Sequence, residues 1–430
     1  MTHSVSPAEI GVSARRSAVY LLDQILGEGR LMFEVIGSGA LDRLPAEDRA
    51  RAQRLALDTM RGLERADRLL QKHLRKNPPL TVRNALRVGA VELCNGAAAH
   101  GVVNSLVNMI GSDKRNAKLK GLVNAVLRKI AAEGPDNWNK LRLPRLPKWL
   151  RVPLVQAWGS EAVTAMEAAH FAGAPLDITT RGNADAAAKL LGAEMLPSGS
   201  LRLRDAGQIT TLEGYDTGDW WVQDAAAAVP ARILAPQAGE HVLDMCAAPG
   251  GKTMQLAASG AIVTAVDDSA TRMNRLRENL ERTDLKAALV VADAMDHSGK
   301  YDAVLLDAPC SATGTIRRHP DLPFAKDGSE FGALIDLQSQ MIDHVWTLLR
   351  PGGRMVFCTC SLLPDEGEVQ IEDALTRHPD MRIDRAALDL PGINPDWITT
   401  EGGLRLRPDY WPELGGMDGF YIAALRKTGG

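Results

Sequence analysis

Apolar residues in the first third of the chain recur every three or four positions, as they do on one face of a helix. The first such face has five members: Ala14, Ala18, Leu21, Leu22 and Ile25. Similar patterns, separated by glycines or prolines, follow at about 47–75, 81–98, 102–110 and 117–133. No stretch alternates as a strand would, so residues 1–135 are predicted to form an all-α domain.

The middle of the chain has a mixed pattern. A linker with several prolines is predicted at about 134–147. Helices are then expected at 149–170 and 184–191, and short strands at 176–181 and near 200–204. These elements predict a small α+β subdomain over residues 143–220, which we expect to lie on the substrate side.

From residue 221 onwards, continuous apolar segments alternate with helical ones. The strand candidates begin at His241, Ala261, Ala288, Tyr301 and Arg354, with helices such as 269–282 and 334–349 between them. This alternation is typical of a parallel, doubly wound sheet. Residues 221–430 are therefore predicted to form an α/β Rossmann-like domain. A chain of 430 residues is long enough for several domains.

Composition places the chain among cytoplasmic, membrane-free proteins. The amino terminus lacks a signal-peptide pattern, and no apolar run approaches the roughly 20 residues that span a bilayer. The five cysteines are too few and too irregular for a disulfide framework. Cys358 and Cys360 lack the two-residue gap of a zinc site, so no metal is expected. We further expect a monomer.

Positive charge is concentrated in the helical region, although the whole chain carries −3. Eleven Lys and Arg residues lie between Leu69 and Lys129 against two acidic residues, a local charge of +9. Such an excess can attract a phosphate backbone. An ordinary solvated helical surface would have the same composition, so both interpretations stay open here.

Four predicted strands end on an acidic residue, namely Asp244, Asp267, Asp293 and Asp307. Ligands of open α/β sheets bind at the carboxyl ends of strands. The turn after Asp244 fails as a P-loop because Cys246 stands where its first glycine belongs, and it also lacks the dinucleotide fingerprint. A nucleoside-binding turn remains, with Asp267 spaced to grip ribose hydroxyls. Helix N-capping is the alternative for any single carboxylate.

Two cysteine motifs follow neighbouring strands, Asp307-Ala-Pro-Cys-Ser-Ala-Thr-Gly314 and Thr359-Cys-Ser361. Adjacent strand ends can bring Cys310 and Cys360 into one pocket. Buried cysteines are usually inert small hydrophobes, and we expect that of Cys94 and Cys358.

The chain resembles the Sun-type RNA cytosine-5 methyltransferases, most of all the bacterial branch that methylates small-subunit ribosomal RNA. The resemblance covers 221–430 and is carried by the motifs at 221–224, 246–252, 307–314, 358–361 and 417–423. The first third resembles a NusB-like RNA-binding domain, especially at 122–128. It departs from relatives at 103–108, where they usually carry glutamates.

The resemblance implies a class I methyltransferase fold, structured RNA as partner and S-adenosylmethionine as cofactor. It implies that Asp267 binds the ribose of the cofactor and that Asp293 lies near its adenine. Asp307 would also contribute to cofactor binding. The turn implied to hold the cofactor consists of Cys246, Ala247, Ala248, Pro249, Gly250, Gly251 and Lys252. Cys360 would be the nucleophile and Cys310 would assist product release. Asp307 would hydrogen-bond the cytosine ring, with Lys252 close by.

These residue types suit methylation of cytosine at carbon 5. This carbon is a poor nucleophile until a thiolate adds to carbon 6 of the same ring. An acid such as Asp307 would stabilise the adduct at ring nitrogen 3. The target base must leave its stack, which favours loops and bulges. Two alternatives remain: a DNA cytosine-5 methyltransferase, which attacks through the fourth-strand Pro-Cys, and a NusB-like RNA-binding or assembly factor with an inactive methyltransferase domain.

Overall fold

The computed structural model describes residues 7–204 and 206–429, which form two compact units. The first unit comprises residues up to Val152 together with Val163–Gly173 and Ile316–Asp327; the remainder forms the second. Of the helices described, none has the length and apolarity needed to cross a bilayer.

The first unit is helical, as the apolar periodicity predicts. Its helices in chain order are α1 (Pro7–Glu28), α2 (Met32–Gly37), α3 (Ala46–Arg61), α4 (Leu63–Gln71), α5 (Leu80–Cys94), α6 (Ala99–Ser112) and α7 (Lys120–Asn139). The predicted face of α1 is fully buried, from Ala14 to Ile25. It packs into a core built mainly from α3, α5, α6 and α7.

Two predicted boundaries in this unit are wrong, and one tertiary contact explains both. The helix expected over 47–75 breaks at Gly62, where an added Cβ would lie 2.7 Å from the ring of Trp138. Trp138 is buried in the helical core, so α7 continues to Asn139 and occupies the first part of the expected 134–147 linker.

The helical unit also includes a segment from much later in the chain. Helix α8 (Lys148–Ala172) contains a kink at Gly159, and α13 (Leu322–Ala325) lies within the returning segment 316–327. The backbone N–H of Met32 donates to Asp321 Oδ2 at 2.7 Å, and Trp149 Nε1 donates to the Pro323 carbonyl at 3.1 Å. The domain boundaries expected from sequence remain predictions.

The second unit contains a small antiparallel sheet, in agreement with the α+β prediction. Its strands are β1 (Leu176–Thr180), β2 (Glu194–Met195), β3 (Leu201–Leu203) and β4 (Trp220–Val222), in the order β2-β3-β1-β4, with α9 at Ala184–Leu191. Arg202 on β3 donates to both carboxylate oxygens of Asp177 on β1, at 2.6 and 2.7 Å, and this buried pair links the two strands.

The main sheet holds the strand ends on which the site depends. Its strands are β5 (His241–Met245), β6 (Ile262–Asp267), β7 (Ala288–Val291), β8 (Tyr301–Asp307), β9 (Leu349–Thr359), β10 (Met381–Ile383), β11 (Leu404–Leu406) and β12 (Phe420–Lys427). The remaining helices are α10 (Val229–Leu234), α11 (Gly251–Ala258), α12 (Ala270–Thr283), α14 (Phe331–Leu348) and α15 (Glu368–Arg377).

The sheet is parallel only in part. Among the described residues its order is β10-β12-β9-β8-β5-β6-β7, with β11 paired to β12. Strands β5 to β9 run parallel, as predicted. The sequence predicted no strands beyond these five, and at the other end of the sheet β12 pairs antiparallel with β9, β10 and β11. The first six residues of β12 are buried, so this strand lies inside the sheet.

Candidate active site

The two motif cysteines meet where β8 and β9 end. These strands are parallel neighbours, with Asp307 opposite Cys358 in the register. Each cysteine follows its strand by one to three residues, and the Sγ atoms of Cys310 and Cys360 lie 3.5 Å apart. Both side chains are partly exposed, so the structure places two thiols in one accessible position.

The surroundings of Cys310 favour its protonated form. The hydrogen bond with Cys360, burial and the negative charges of Cys360 and Glu366 raise the pKa of Cys310 well above its usual value. Either sulfur can be the donor in this contact, and the raised pKa favours a proton on Cys310.

Of the remaining cysteines, Cys94 and Cys358 are buried and Cys246 is partly exposed. Cys358 is buried, and its Sγ lies 3.4 Å from Asp307 Oδ1; burial raises its pKa well above the usual value. Cys94 belongs to the helical core, where burial and the charge of Glu133 raise its pKa to about 11. Cys246 lies in the turn after β5, and burial raises its pKa too. High pKa values make all three poor nucleophiles at neutral pH.

Lys252 and Asp307 form an ion pair next to the thiols. Lys252 Nζ lies 2.8 Å from Asp307 Oδ2 and 5.2 Å from the centroid of the Phe420 ring. Burial opposes the charged form of Lys252, but the charges of Asp307 and of the cysteines at 358 and 360 outweigh it and raise the lysine pKa. The pair thus presents one cationic donor and one carboxylate acceptor side by side.

The turn between β5 and α11 brings backbone close to the sheet edge. Cys246 and Gly250 have φ values of +63° and +103°. An added Cβ at Gly250 would lie 2.4 Å from Leu276 Cδ1, so only glycine fits there. The next residue, Gly251, begins α11, whose first N–H groups face the turn.

Asp267, at the end of β6, supports this turn. Its carboxylate accepts the N–H of Ala248 at 3.1 Å and that of Ser269 at 2.9 Å, and Arg272 Nη2 lies 3.0 Å away. A carboxylate has about four acceptor positions, so Asp267 keeps capacity for a further donor such as a ribose hydroxyl.

The other strand-end carboxylates have different surroundings. Asp244 is fully buried and accepts the Thr253 hydroxyl at 2.5 Å; burial raises its pKa to about 7. Asp293 is exposed and accepts the Met295 N–H at 2.8 Å, which is an N-capping role. Val291, in register with Asp267, is 51% exposed, an apolar surface at the same strand ends.

A nucleoside group fits this edge, because carboxylate acceptors, backbone amides and one exposed apolar side chain converge there. In the part of the chain that the structure describes, no three His, Cys, Asp or Glu side chains are arranged as metal ligands.

The sequence did not reveal the polar residues that hold the two cysteine turns. Thr313 Oγ1 accepts the Leu362 N–H at 2.9 Å, and Ser361 Oγ accepts the Leu363 N–H at 3.0 Å. Buried Arg405 donates to the Ser361 carbonyl and pairs with Glu368. The hydroxyl residues that follow each cysteine could have indicated this support from the sequence. Arg405 lies between two leucines in a short strand, and its sequence context gave no such indication.

Comparison with known proteins identifies two matching protein families. The profile of 16S rRNA methyltransferase RsmB/F matches residues 231–426, and that of the NusB family matches residues 12–132. Ribosomal RNA small subunit methyltransferase B of Pasteurella multocida (strain Pm70) is 32% identical, over 99% of this chain and 98% of its own length. The protein of the same name from Pseudomonas putida (strain KT2440) is 36% identical, over 90% of this chain and 92% of its own.

A solved structure shares the fold along the whole chain. The crystal structure of PH0851 superimposes with a TM-score of 0.72 at 23% identity, covering 99% of both chains. Members of the matched family are S-adenosylmethionine-dependent enzymes, and the carboxylate and amide groups at this sheet edge are compatible with that cofactor. The chain belongs to the family of ribosomal RNA small subunit methyltransferase B.

Proposed function

We propose that this enzyme methylates carbon 5 of a cytosine in small-subunit ribosomal RNA through a covalent adduct with Cys360. The observation that carries the proposal is the pair of thiols 3.5 Å apart, in which the surroundings of Cys310 favour its protonated form. Attack at carbon 6 needs one thiol, and a second thiol beside it can assist the leaving sulfur. The Lys252–Asp307 pair lies at the same strand ends.

The residues that would hold the methyl donor are those of the β5–α11 turn and two strand-end carboxylates. Residues 246–252 would approach it through backbone groups, Asp267 would accept from the ribose, and Asp293 would lie near the adenine. S-adenosylmethionine supplies an electrophilic methyl group on a sulfonium and leaves as S-adenosylhomocysteine.

The first step activates the base. The Cys360 thiol gives its proton to water, its Sγ forms a bond to carbon 6, and the electron pair of the carbon 5–carbon 6 double bond becomes available at carbon 5 for bonding to the methyl group. The ammonium of Lys252 can donate to ring nitrogen 3, while the carboxylate of Asp307 accepts from the 4-amino group. The ion pair makes this division of roles more suitable than an acidic Asp307.

The second step releases the product. Water takes the proton from carbon 5, the double bond re-forms, and the electron pair of the carbon 6–sulfur bond returns to Cys360. The S–H of Cys310 stabilises this departing thiolate by hydrogen bonding or by giving up its proton. The raised pKa of Cys310 keeps that proton available at neutral pH.

The test separates the two thiols. Cys360→Ala should give neither turnover nor a covalent RNA–protein species on a denaturing gel, because carbon 5 is never activated. Cys310→Ala should accumulate that species when S-adenosylmethionine and small-subunit ribosomal RNA are present. Cys94→Ala is the matched control, since Cys94 belongs to the helical core, and should behave as wild type.

Other outcomes would contradict the proposal in defined ways. A trapped species with Cys360→Ala would make Cys310 the nucleophile, as in the DNA enzymes. Normal turnover by both variants would rule out the covalent route. Transfer to DNA of the same sequence but not to RNA would overturn the substrate class, and cofactor binding without turnover on any RNA would favour a binding factor.

A further inference from the structure

Glu366 is a buried acid that bonds to residues next to both cysteines. It ends the short helical turn Pro364–Glu366 and is fully shielded from solvent. Its Oε1 accepts the Ser311 N–H at 2.9 Å, and its Oε2 accepts the Ser311 hydroxyl. Its own carbonyl accepts the Thr359 hydroxyl at 2.8 Å. One residue thus links the neighbour of Cys310 to the neighbour of Cys360.

Gln338 completes the support on the other side of Cys310. Its Nε2 donates to the Pro309 carbonyl at 2.8 Å and to Glu366 Oε1 at 3.0 Å. Gln338 and Glu366 together therefore fix the backbone immediately before and immediately after Cys310. Gln338 Oε1 has no hydrogen-bond partner among the described residues, but the Glu366 carboxylate accepts three hydrogen bonds from Ser311 and Gln338, and buried bonds of this kind rigidify a turn.

The turn that carries Cys310 needs such support. Ala312 has φ +56°, a left-handed conformation that side-chain-bearing residues rarely adopt. Backbone of this kind persists where surrounding contacts enforce it, and it is concentrated at functional sites. Hydrogen bonds to a charged carboxylate are the stronger kind, so Glu366 is well suited to enforce the turn.

We propose that Glu366 is a positioning residue, whose carboxylate holds the Cys310 turn so that this thiol faces Cys360 during product release. The inference rests on the proposed function, because it assigns to Glu366 an effect that passes through Cys310. The negative charge of Glu366 acts in the same direction, as one of the causes that keep Cys310 protonated. A purely structural role would instead lower stability without selecting one chemical step.

The experiment measures adduct formation and release separately in single-turnover reactions. Glu366→Ala should leave S-adenosylmethionine affinity unchanged and slow release by about 100-fold, the cost of a misplacement near 1 Å. The adduct should then accumulate as it does in Cys310→Ala. Glu366→Gln should restore most of the rate, because its amide oxygen can still accept the Ser311 N–H.

A double variant gives the decisive comparison. If Glu366 acts through Cys310, Cys310→Ala with Glu366→Ala should release product no more slowly than Cys310→Ala alone. The matched control is Gln370→Ala, which loses a buried hydrogen bond to the Ile335 carbonyl, 2.9 Å away. It should lose stability without accumulating adduct. Should Glu366→Ala fail to fold, Ser311→Ala removes only the hydroxyl donor and should slow release by about tenfold.

The results distinguish this inference from the proposed function. Equal release rates in Glu366→Ala and Gln370→Ala, or additive effects in the double variant, would overturn the positioning role alone. Release at the wild-type rate in Ser311→Ala would also overturn the positioning role. If Cys310→Ala itself traps no adduct, the assignment of the thiols fails first.

Discussion

Asp244 and Asp267 end neighbouring parallel strands, yet their surroundings give them different roles. Asp244 is fully buried and bonded to a hydroxyl, whereas Asp267 accepts two backbone N–H groups and a guanidinium. Desolvation penalises a carboxylate that lacks such donors. The position at a strand end was visible in the sequence; both residues are buried, and the different sets of donors that separate them depend on tertiary packing.

The raised pKa of Asp244 predicts a pH-dependent contribution to stability. Because the folded pKa is about 7 and the usual value is 3.8, the folded state keeps a proton that the unfolded state loses. This contribution is fully present below about pH 4 and is lost as pH rises to about 7. Asp244→Asn should remove it, so the variant should gain roughly 2–4 kcal/mol relative to wild type between pH 4 and pH 8. Urea unfolding at several pH values measures the difference. The prediction would be contradicted if the free energies of unfolding of variant and wild type changed in parallel with pH.

Asp267 predicts an effect on cofactor affinity. Asp267→Ala should weaken S-adenosylmethionine binding by about 1–3 kcal/mol, the range for buried hydrogen-bonding partners left unmet. Calorimetry below the unfolding temperature measures this change. Asp268→Ala is the matched control, since its side chain is 72% exposed, and it should bind normally. Unchanged affinity in Asp267→Ala would remove that residue from the site.

At the scale of elements, the motif glycines act by letting two backbone segments touch. An added Cβ at Gly314 would lie 2.0 Å from the Gly419 carbonyl oxygen. The two residues are already joined by a hydrogen bond of 2.8 Å, and the Gly314 N–H donates to the Cys360 carbonyl at 2.9 Å. The fourth-strand and carboxy-terminal motifs therefore pack against each other beside Cys360.

This close approach predicts the outcome of a single added methyl group. Gly314→Ala should destabilise the protein by about 1–3 kcal/mol, as overpacking does, and should slow adduct formation by displacing Cys360. Gly332→Ala is the control: it lies on α14 with nothing within 4 Å of its Cβ position. Replacing a glycine within a helix by alanine should stabilise the protein by about 0.5–1 kcal/mol. Thermal unfolding of both variants measures the difference. Equal shifts of the unfolding temperature would show that the close approach is unimportant.

Strong local patterns predicted most elements, and the errors arose where distant contacts decide. Strands β5 to β9 and the α1 face followed from apolar periodicity alone. The break at Gly62 depends on Trp138, which lies 76 positions later in the chain, and no local signal reports it. The antiparallel placement of β12 likewise depends on pairing with β9.

At the scale of the whole molecule, the structure refines the charge argument. Arg83 and Arg87 both pair with Asp67, which precedes the cationic stretch 69–129, so this one carboxylate offsets half of their charge. The nine other cations of the stretch are exposed: Lys72, Arg75, Lys76, Lys114, Arg115, Lys118, Lys120, Arg128 and Lys129. A surface with so many unburied cations is a candidate for binding phosphates.

Charge reversal tests this surface. Arg115, Lys118 and Lys120 changed to Glu should weaken RNA binding and lower the salt slope by about 0.7–0.9 for each phosphate that the protein no longer neutralises. S-adenosylmethionine affinity should stay the same. Reversal of Lys189, Arg277 and Lys286, exposed cations of the second unit, is the control. Equal losses of affinity in both variants would indicate general attraction, and no loss in either would favour a merely solvated surface.

The path of the chain has a consequence for how this enzyme can be dissected and recombined. The backbone passes between the two units five times, at 152–153, 162–163, 173–174, 315–316 and 327–328. A fragment ending at 135 would lack Trp138, Phe171 and Ala325, which all belong to the helical core or pack on it. A single proteolytic nick would leave both units covalently joined. Neither unit can therefore be excised at one junction, and another domain could not be exchanged for the helical unit by simple fusion.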